Sequence, residues 1–287
     1  MRVLHLDCGR EMGGGQWQVL RLVTALRERG IESTLLARAG SPLFEKALEA
    51  GLAVKAWGIG NARRRISGVD LVHAHDARSH TLGLLMPERP LLVARRVAFA
   101  PRSRAKYGRA RHFVAVSEFV KSVMRMAGIP DEKITVVYDG VPLLDRSHGD
   151  TVIALANKGV DLAAEAARRA GVSFHISTDL ESDLHRAALL VYVTECEGLG
   201  SAALLAMSAG VPVLASNVGG LREVISDGEN GWLVENSAEA FAAILGAFGE
   251  RCQTERMREA AARTVRERFT IDKMTEGTIE VYHKVLS

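Results

Sequence analysis

The sequence predicts an α/β protein made of two domains, each a parallel sheet with helices on both faces. Three observations carry that expectation. The chain has 287 residues, long enough for two domains that each bury a core of their own. Short, continuously apolar runs alternate with amphipathic helical patterns, as strands buried on both faces require. The alternation then starts again after GVPLLDRSHGD (140–150), a stretch with Gly, Pro and polar residues that reads as a linker.

The elements follow in order. In the first half the strands are RVLHLD (2–7), STLLAR (33–38), VDLVHAH (69–75), PLLVAR (90–95), HFVAVS (112–117) and ITVVYD (134–139). A helix is expected over 16–29, because Val19, Leu22, Val23 and Leu26 share one face at helical spacing. In the second half the strands are TVIALA (151–156), VSFHIS (172–177), ALLVYVT (188–194), VPVLAS (211–216) and GWLVE (231–235), with helices near 160–170, 201–209 and 237–248. These patterns describe two Rossmann-like domains facing a cleft. In open sheets of this kind ligands bind beyond the carboxyl ends of the strands, so the residues just after each strand are the candidates.

Composition narrows the class. With 47% hydrophobic and 25% charged residues the chain has the balance of a soluble globular protein. A formal charge of +3 is too small to imply a nucleic-acid partner, and none is expected. The cations are concentrated, however: RRVAFAPRSRAKYGRARH (95–112) holds seven Lys or Arg and no acid. That stretch reads equally as a solvated basic loop or as a surface for an anionic acceptor or an anionic membrane. Cys8, Cys196 and Cys252 are odd in number and widely spaced, as reduced thiols of a cytosolic protein are. MRVLHLDCGRE carries Arg2 and Asp7 and lacks the uninterrupted core of a signal peptide. The uncharged run 198–215 is broken by Gly210 and Pro212, which suits a buried helix and a buried strand better than a membrane span.

Two strand ends stand out. CGREMGGGQWQ places Gly13, Gly14 and Gly15 where a helix begins, so that backbone N–H groups can approach a phosphate or sugar. Taken alone, this is equally a plain turn. In ECEGLGSAALLAMSAG (195–210), Glu195 and Glu197 lie two apart, Gly198 and Gly200 allow close backbone approach, and Ser201 suits a helix N-cap. Amides at a helix start can hold a diphosphate while a carboxylate accepts from hydroxyl groups, a combination fitted to a sugar nucleotide. Solvated acids before a capped core helix explain the same residues. In VHAHDARSH, His73, His75, Asp76 and His80 cluster at a strand end, and an HxH pair on a strand admits zinc. Trp17 and Trp232 read as packing residues.

EGLGSAALLAMSAGVPVLASNVGGLREVISDGENGWLV (197–234) resembles the signature of family 4 retaining glycosyltransferases, which have the GT-B fold. A Glu-Gly-Leu-Gly turn, an Ala-Met-Ser-Ala-Gly helix end, a Pro-Val strand, a Gly-Gly turn before Glu-Val and a Gly-x-Asn-Gly loop come in the family's order and spacing. MGGGQWQVLRLVTALRERGIES is similar to the family's N-terminal glycine loop and helix, and HFVAVSEFVKSVMRMAGIPDEKITVVYDGV to its last N-domain segment, with Asp139 where Asn is common. RFTIDKMTEGTIEVYHKVL is similar to the helix that crosses back to the N-domain. The resemblance implies an acceptor-side domain at 1–145, a nucleotide-sugar-binding domain at 146–270 and a returning helix at 271–287.

It also implies an activity: metal-independent transfer, with retained anomeric configuration, of a sugar from a nucleoside-diphosphate-sugar to a glycan or glycolipid precursor. That donor is a co-substrate, and no cofactor or metal is implied. Glu197 and Lys158, the latter in NKG, would be the catalytic pair. Glu197 would contact donor hydroxyls, and Lys158 would neutralise the diphosphate. Gly14, Gly15, Gly198, Leu199, Gly200 and Ser201 would bind the donor, and His75, Asp76, Arg95 and Arg96 would face the acceptor or the cleft. An acceptor from the cell envelope or lipopolysaccharide core, and a cytoplasmic place at the inner face of the membrane, fit the basic stretch.

Four departures stand against the family pattern. A second Glu, which holds the ribose hydroxyls, is replaced by Leu205. No Arg precedes Lys158 in a Gly-Arg pair. Arg96 takes the place of a strand-end His, and a strand-helix unit of roughly 25 residues is missing after Lys158. These motivate an alternative, a catalytically degenerate GT-B protein that binds a nucleotide sugar or a partner without turnover. A nucleotide-sugar epimerase is a third reading.

Overall fold

The computed structural model describes residues 1–58, 68–101, 103–248 and 254–287; Arg102 and Cys252 lie outside them. Two compact units divide the chain. One is Met1–Gly140 together with Ile271–Ser287, and the other is Val141–Thr270.

The first unit is built on strands β1 (Arg2–Leu6), β2 (Glu32–Ala37), β3 (Val54–Ala56), β4 (Leu71–Ala74), β5 (Leu91–Arg95), β6 (His112–Ala115) and β7 (Ile134–Val136). All pair in parallel, in the order β3-β2-β1-β4-β5-β6-β7. Strand β3 is absent from the sequence expectation for a physical reason. It is a three-residue edge strand whose central Lys55 faces solvent, so it has neither the length nor the apolar run of its neighbours. The helix Gly14–Glu28 turns Leu22 and Leu26 onto Val3, Leu71 and Leu92. The C-terminal helix Ile271–Leu286 joins the same core through Met274, Val281, Tyr282 and Val285, which repeat at helical spacing. Tyr282 is fully buried, and its hydroxyl meets His73 Nδ1 at 2.8 Å, so the polar end of the ring is satisfied inside the core.

The second unit holds β8 (Thr151–Leu155), β9 (Phe174–Ser177), β10 (Ala187–Tyr192), β11 (Val213–Ser216) and β12 (Gly231–Val234), again all parallel, in the order β12-β11-β10-β8-β9. Helices Val160–Ala170 and Ala238–Phe248 cover it, closing a core around Val152, Ala154, Leu189, Leu214 and Phe241. The uncharged run divides as the sequence suggests, into the buried helix Ser201–Ser208 and then β11. Among the described residues no helix is long and apolar enough to cross a membrane. The stretch 140–150 is extended and tied down: Ser147 Oγ donates to the Ala187 carbonyl at 2.6 Å, and Arg258 donates to the Ser147 carbonyl at 2.8 Å.

In each sheet the strand order reverses once, between β1 and β4 in the first unit and between β8 and β10 in the second. At such a point the two following loops diverge to opposite faces and leave a crevice at the strand ends. The residues that follow these four strands are therefore the ones best placed for a ligand.

Truncation of Tyr282 should release the C-terminal helix from the first core. Tyr282→Ala is expected to lower stability by about 3–5 kcal/mol, the range for removing a large buried aromatic side chain, read as a shift of the urea midpoint.

Candidate active site

In the second unit the loops after β8 and β10 meet at the reversal point. Lys158 follows β8 and Glu197 follows β10, and Lys158 Nζ lies 2.9 Å from Glu197 Oε2. The same oxygen accepts from the Tyr192 hydroxyl at 2.6 Å, while Glu197 Oε1 accepts from the Gly198 amide at 3.1 Å. Burial, with Glu197 beside it, holds the Tyr192 hydroxyl well above its usual range, so it remains a proton donor to the carboxylate. Tyr192 is a site residue that sequence reasoning missed, because it sits inside an apolar strand and looks like core. Glu195 is exposed beside the pair and makes no part of it.

Glycines allow this approach. Gly159 has φ +52°, and a Cβ there would stand 2.4 Å from Val193 Cγ1. The β8 loop therefore lies directly against the end of β10. Gly220 donates to the Glu197 carbonyl at 3.1 Å, and a Cβ on Gly220 would stand 2.0 Å from the Gly198 carbonyl oxygen. The Gly-Gly turn thus presses on the Glu197 loop from the other side. Gly200, at φ +103°, is the N-cap of Ser201–Ser208. Ser201 was expected to cap that helix and is instead its first residue, because the turn needs a left-handed backbone that glycine supplies. With no side chain capping it, the first turn keeps amides that an anion can use. Gly198 and Leu199 are buried beneath this turn, and Leu205 lies in the buried part of the helix.

In the first unit the loops after β1 and β4 also come together. Gly14 and Gly15 open the helix Gly14–Glu28 behind Gly13, again with no side-chain cap. Asp7, which the sequence did not single out, organises this loop: its carboxylate accepts from Gly9 N at 2.8 Å and from Gln16 Nε2 at 3.2 Å. Asp76 caps the helix Ala77–Gly83 by accepting from Arg78 N at 2.6 Å and Ser79 N at 3.0 Å, and it accepts from Cys8 N at 2.5 Å, which joins the two loops. Arg96 pairs with the buried Asp139 at 3.1 Å and stands beside Gly15.

The described cations of the basic stretch do not form one surface. Arg95 is buried, donates to the Phe99 carbonyl and lies over the Tyr107 ring. Lys106 donates to the Ala77 carbonyl at 2.6 Å, and Arg96 is held by Asp139. A cavity of about 410 Å³ lined by Arg89, Arg109, Arg111 and Lys133 lies toward the opposite, N-terminal ends of β5 and β6. The histidines also separate. His73 and His75 share a face, with ring centroids 4.1 Å apart, but His80 packs edge-on against Tyr107 and Phe113. Their third neighbour is His5 from β1.

Comparison with known proteins agrees with this architecture. Residues 12–143 match the domain described as Glycosyltransferase Family 4, and residues 120–248 match that described as Glycosyl transferases group 1. Each match covers a little under half of the chain, one in either half. The D-inositol 3-phosphate glycosyltransferase of Streptomyces scabiei is 39% identical over 103 residues, 35% of this chain and 23% of that protein. The alpha-1,3/1,6-mannosyltransferase alg-2 of Neurospora crassa is 36% identical over 107 residues, 36% of this chain and 22% of that protein. The glycogen synthase of Mycobacterium tuberculosis is 30% identical over 162 residues, 51% of this chain and 39% of that protein. The matched stretches span well under half the length of these curated relatives. Among solved structures, Anabaena HepE in complex with UDP superposes with a TM-score of 0.85 at 17% identity, over 99% of this chain and 100% of that one. A glycosyltransferase from Rickettsia africae gives 0.82 at 18% identity, over 100% and 98%. At these identities the likeness is one of fold, the GT-B pairing of two parallel α/β domains.

Two outcomes follow from the packing. Gly220→Ala is expected to lower stability by about 2 kcal/mol or more, because its Cβ has no space against the Gly198 carbonyl; thermal unfolding beside wild type measures it. Burial depresses the His80 imidazole to about 4. Between its unfolded value and that pKa the folded state binds fewer protons, so this contribution is complete above about pH 6.5 and is lost as pH falls through 4. His80→Phe should flatten the acid limb of a stability–pH profile over that window.

Proposed function

We propose that the protein is a metal-independent, retaining glycosyltransferase that moves a sugar from a nucleoside-diphosphate-sugar to a glycan or glycolipid precursor. The observation that carries this reading is the Lys158–Glu197 pair beside the open helix start at Gly200–Ser201. Breaking a glycosyl phosphate bond develops negative charge on the departing diphosphate. A fixed ammonium and a set of helix amides stabilise that charge without a divalent ion. In this reading Lys158 turns to the diphosphate, Glu197 accepts from the donor sugar's hydroxyls, and the Tyr192 hydroxyl keeps the carboxylate in place.

The second unit is then the donor domain and the first the acceptor domain, with Gly14, Gly15 and Arg96 at its reversal point. In this reading the donor domain lacks one strand-helix unit of the family, in keeping with β9 as an edge strand and with the short helix Leu180–Asp183 that leads from it toward β10. Anabaena HepE has been solved with UDP-glucose, and a lipopolysaccharide outer core galactosyltransferase, WaaB, shares the fold at a TM-score of 0.74 and 14% identity. The first suits a uridine nucleotide donor and the second an envelope acceptor such as a lipopolysaccharide core; the protein is then cytoplasmic and peripheral to an anionic membrane. A second reading, a GT-B protein that binds a nucleotide sugar without turnover, is favoured by one observation: the buried Leu205 offers no acceptor for ribose hydroxyls.

Thermal unfolding against UDP, GDP, ADP and their sugar conjugates tests the donor site. A ligand at about 100 times its dissociation constant should stabilise the protein by roughly 2.7 kcal/mol. The expected result is stabilisation by one nucleotide sugar that is lost in Lys158→Ala and Glu197→Ala; no shift with any of them would contradict a donor pocket.

A further inference from the structure

We propose that His5, His73 and His75 form a structural metal site in the first unit, taking one Zn²⁺ through three neutral imidazoles. The site is separate from the Lys158–Glu197 pair and takes no part in sugar transfer.

Backbone register brings the ligands together. His5 on β1 and His73 on β4 are direct partners across the parallel pair, and His75 is two residues further along the chain. The two-residue period of a strand puts all three on one face of the sheet. The rings lie with centroids 4.1 to 5.6 Å apart, and one ligating atom from each comes within 4.8 Å of the others. His5 Nδ1 and His75 Nε2 share a hydrogen bond at 3.0 Å, which a bound ion would replace. Two nitrogens bound to one tetrahedral zinc at 2.0–2.1 Å are about 3.3 Å apart, so a small adjustment admits the ion.

The surroundings also leave one ligand atom waiting. His73 Nε2 is buried with no hydrogen-bond partner, a rare and unfavourable state for a polar atom in a protein interior. Burial keeps all three rings neutral, the form that has a lone pair to give. Tyr282 meets His73 Nδ1 at 2.8 Å, which fixes that ring and leaves Nε2 as its ligand atom; metal-bound histidines use their second nitrogen in this way. Arg96, a nearby cation, is already compensated by Asp139 at 3.1 Å. Imidazole sets favour zinc, copper and nickel over magnesium or calcium. The three side chains are at most 6% exposed, so the site is closed to a substrate and its effect falls on stability.

The test uses untagged, full-length protein stripped of metal and titrated with Co²⁺ or Zn²⁺ alone. The expected result is one equivalent bound per chain. Co²⁺ should give the intense visible absorption of a four-coordinate ion, Zn²⁺ should displace it, and the melting temperature should rise with either metal. His5→Gln and His73→Gln should each abolish the band and the rise, while His80→Gln keeps both. The absence of a Co²⁺ band and of any metal-dependent rise in wild type would overturn the proposal, and so would a band that survives in folded His5→Gln and His73→Gln. Should those variants fail to fold, the wild-type stoichiometry and spectrum decide.

Discussion

Lys158 reaches Glu197 because the strand order reverses between β8 and β10, and because glycine lets the loops after those strands touch. Gly159 sits where any Cβ would strike Val193, and Gly220 where any Cβ would strike the Gly198 carbonyl. The result is a carboxylate held from three sides, by an ammonium, a phenol and its own following amide. Removing the cation leaves a partly buried carboxylate without its charge partner, so the pair behaves as one unit in stability as well as in chemistry. The candidate donor site is therefore a property of the sheet's topology as much as of the two residues.

Much of this was legible in the chain. Glu197 and Lys158 each follow a strongly apolar strand, and glycines next to them signal close backbone approach. What the sequence concealed has physical causes. Strand β3 is too short and too polar at Lys55 to show a period. The N-cap falls on Gly200 and not on Ser201 because a left-handed φ outweighs side-chain capping there. Tyr192 and Tyr282 look like ordinary core aromatics, and only their hydroxyl partners reveal their work: Glu197 in the loop after the strand for Tyr192, and the distant His73 for Tyr282. His5 was invisible because the HxH pair at the end of β4 could be read locally, whereas its third neighbour comes through cross-strand register.

The first unit shows how a charged segment in sequence need not be a charged surface in space. Of the cations in 95–111, Arg95 is buried over an aromatic ring, Arg96 is spent on Asp139 and Lys106 on a carbonyl. Among the described residues, Arg109 and Arg111 line a cationic cavity at the ends of β5 and β6 remote from the glycine loop.

The central claim is that Lys158 and the helix start at Gly200–Ser201 stabilise a leaving diphosphate without a metal ion. The most direct measurement is the release of nucleoside diphosphate from a panel of nucleotide sugars, with water taking the sugar in place of the acceptor, in excess EDTA, by wild type and Lys158→Ala. The account predicts release from one donor that EDTA leaves unchanged and that Lys158→Ala lowers at least about 100-fold, the scale for losing one preorganised charge-stabilising group. Release that EDTA abolishes, or that Lys158→Ala leaves intact, would contradict it.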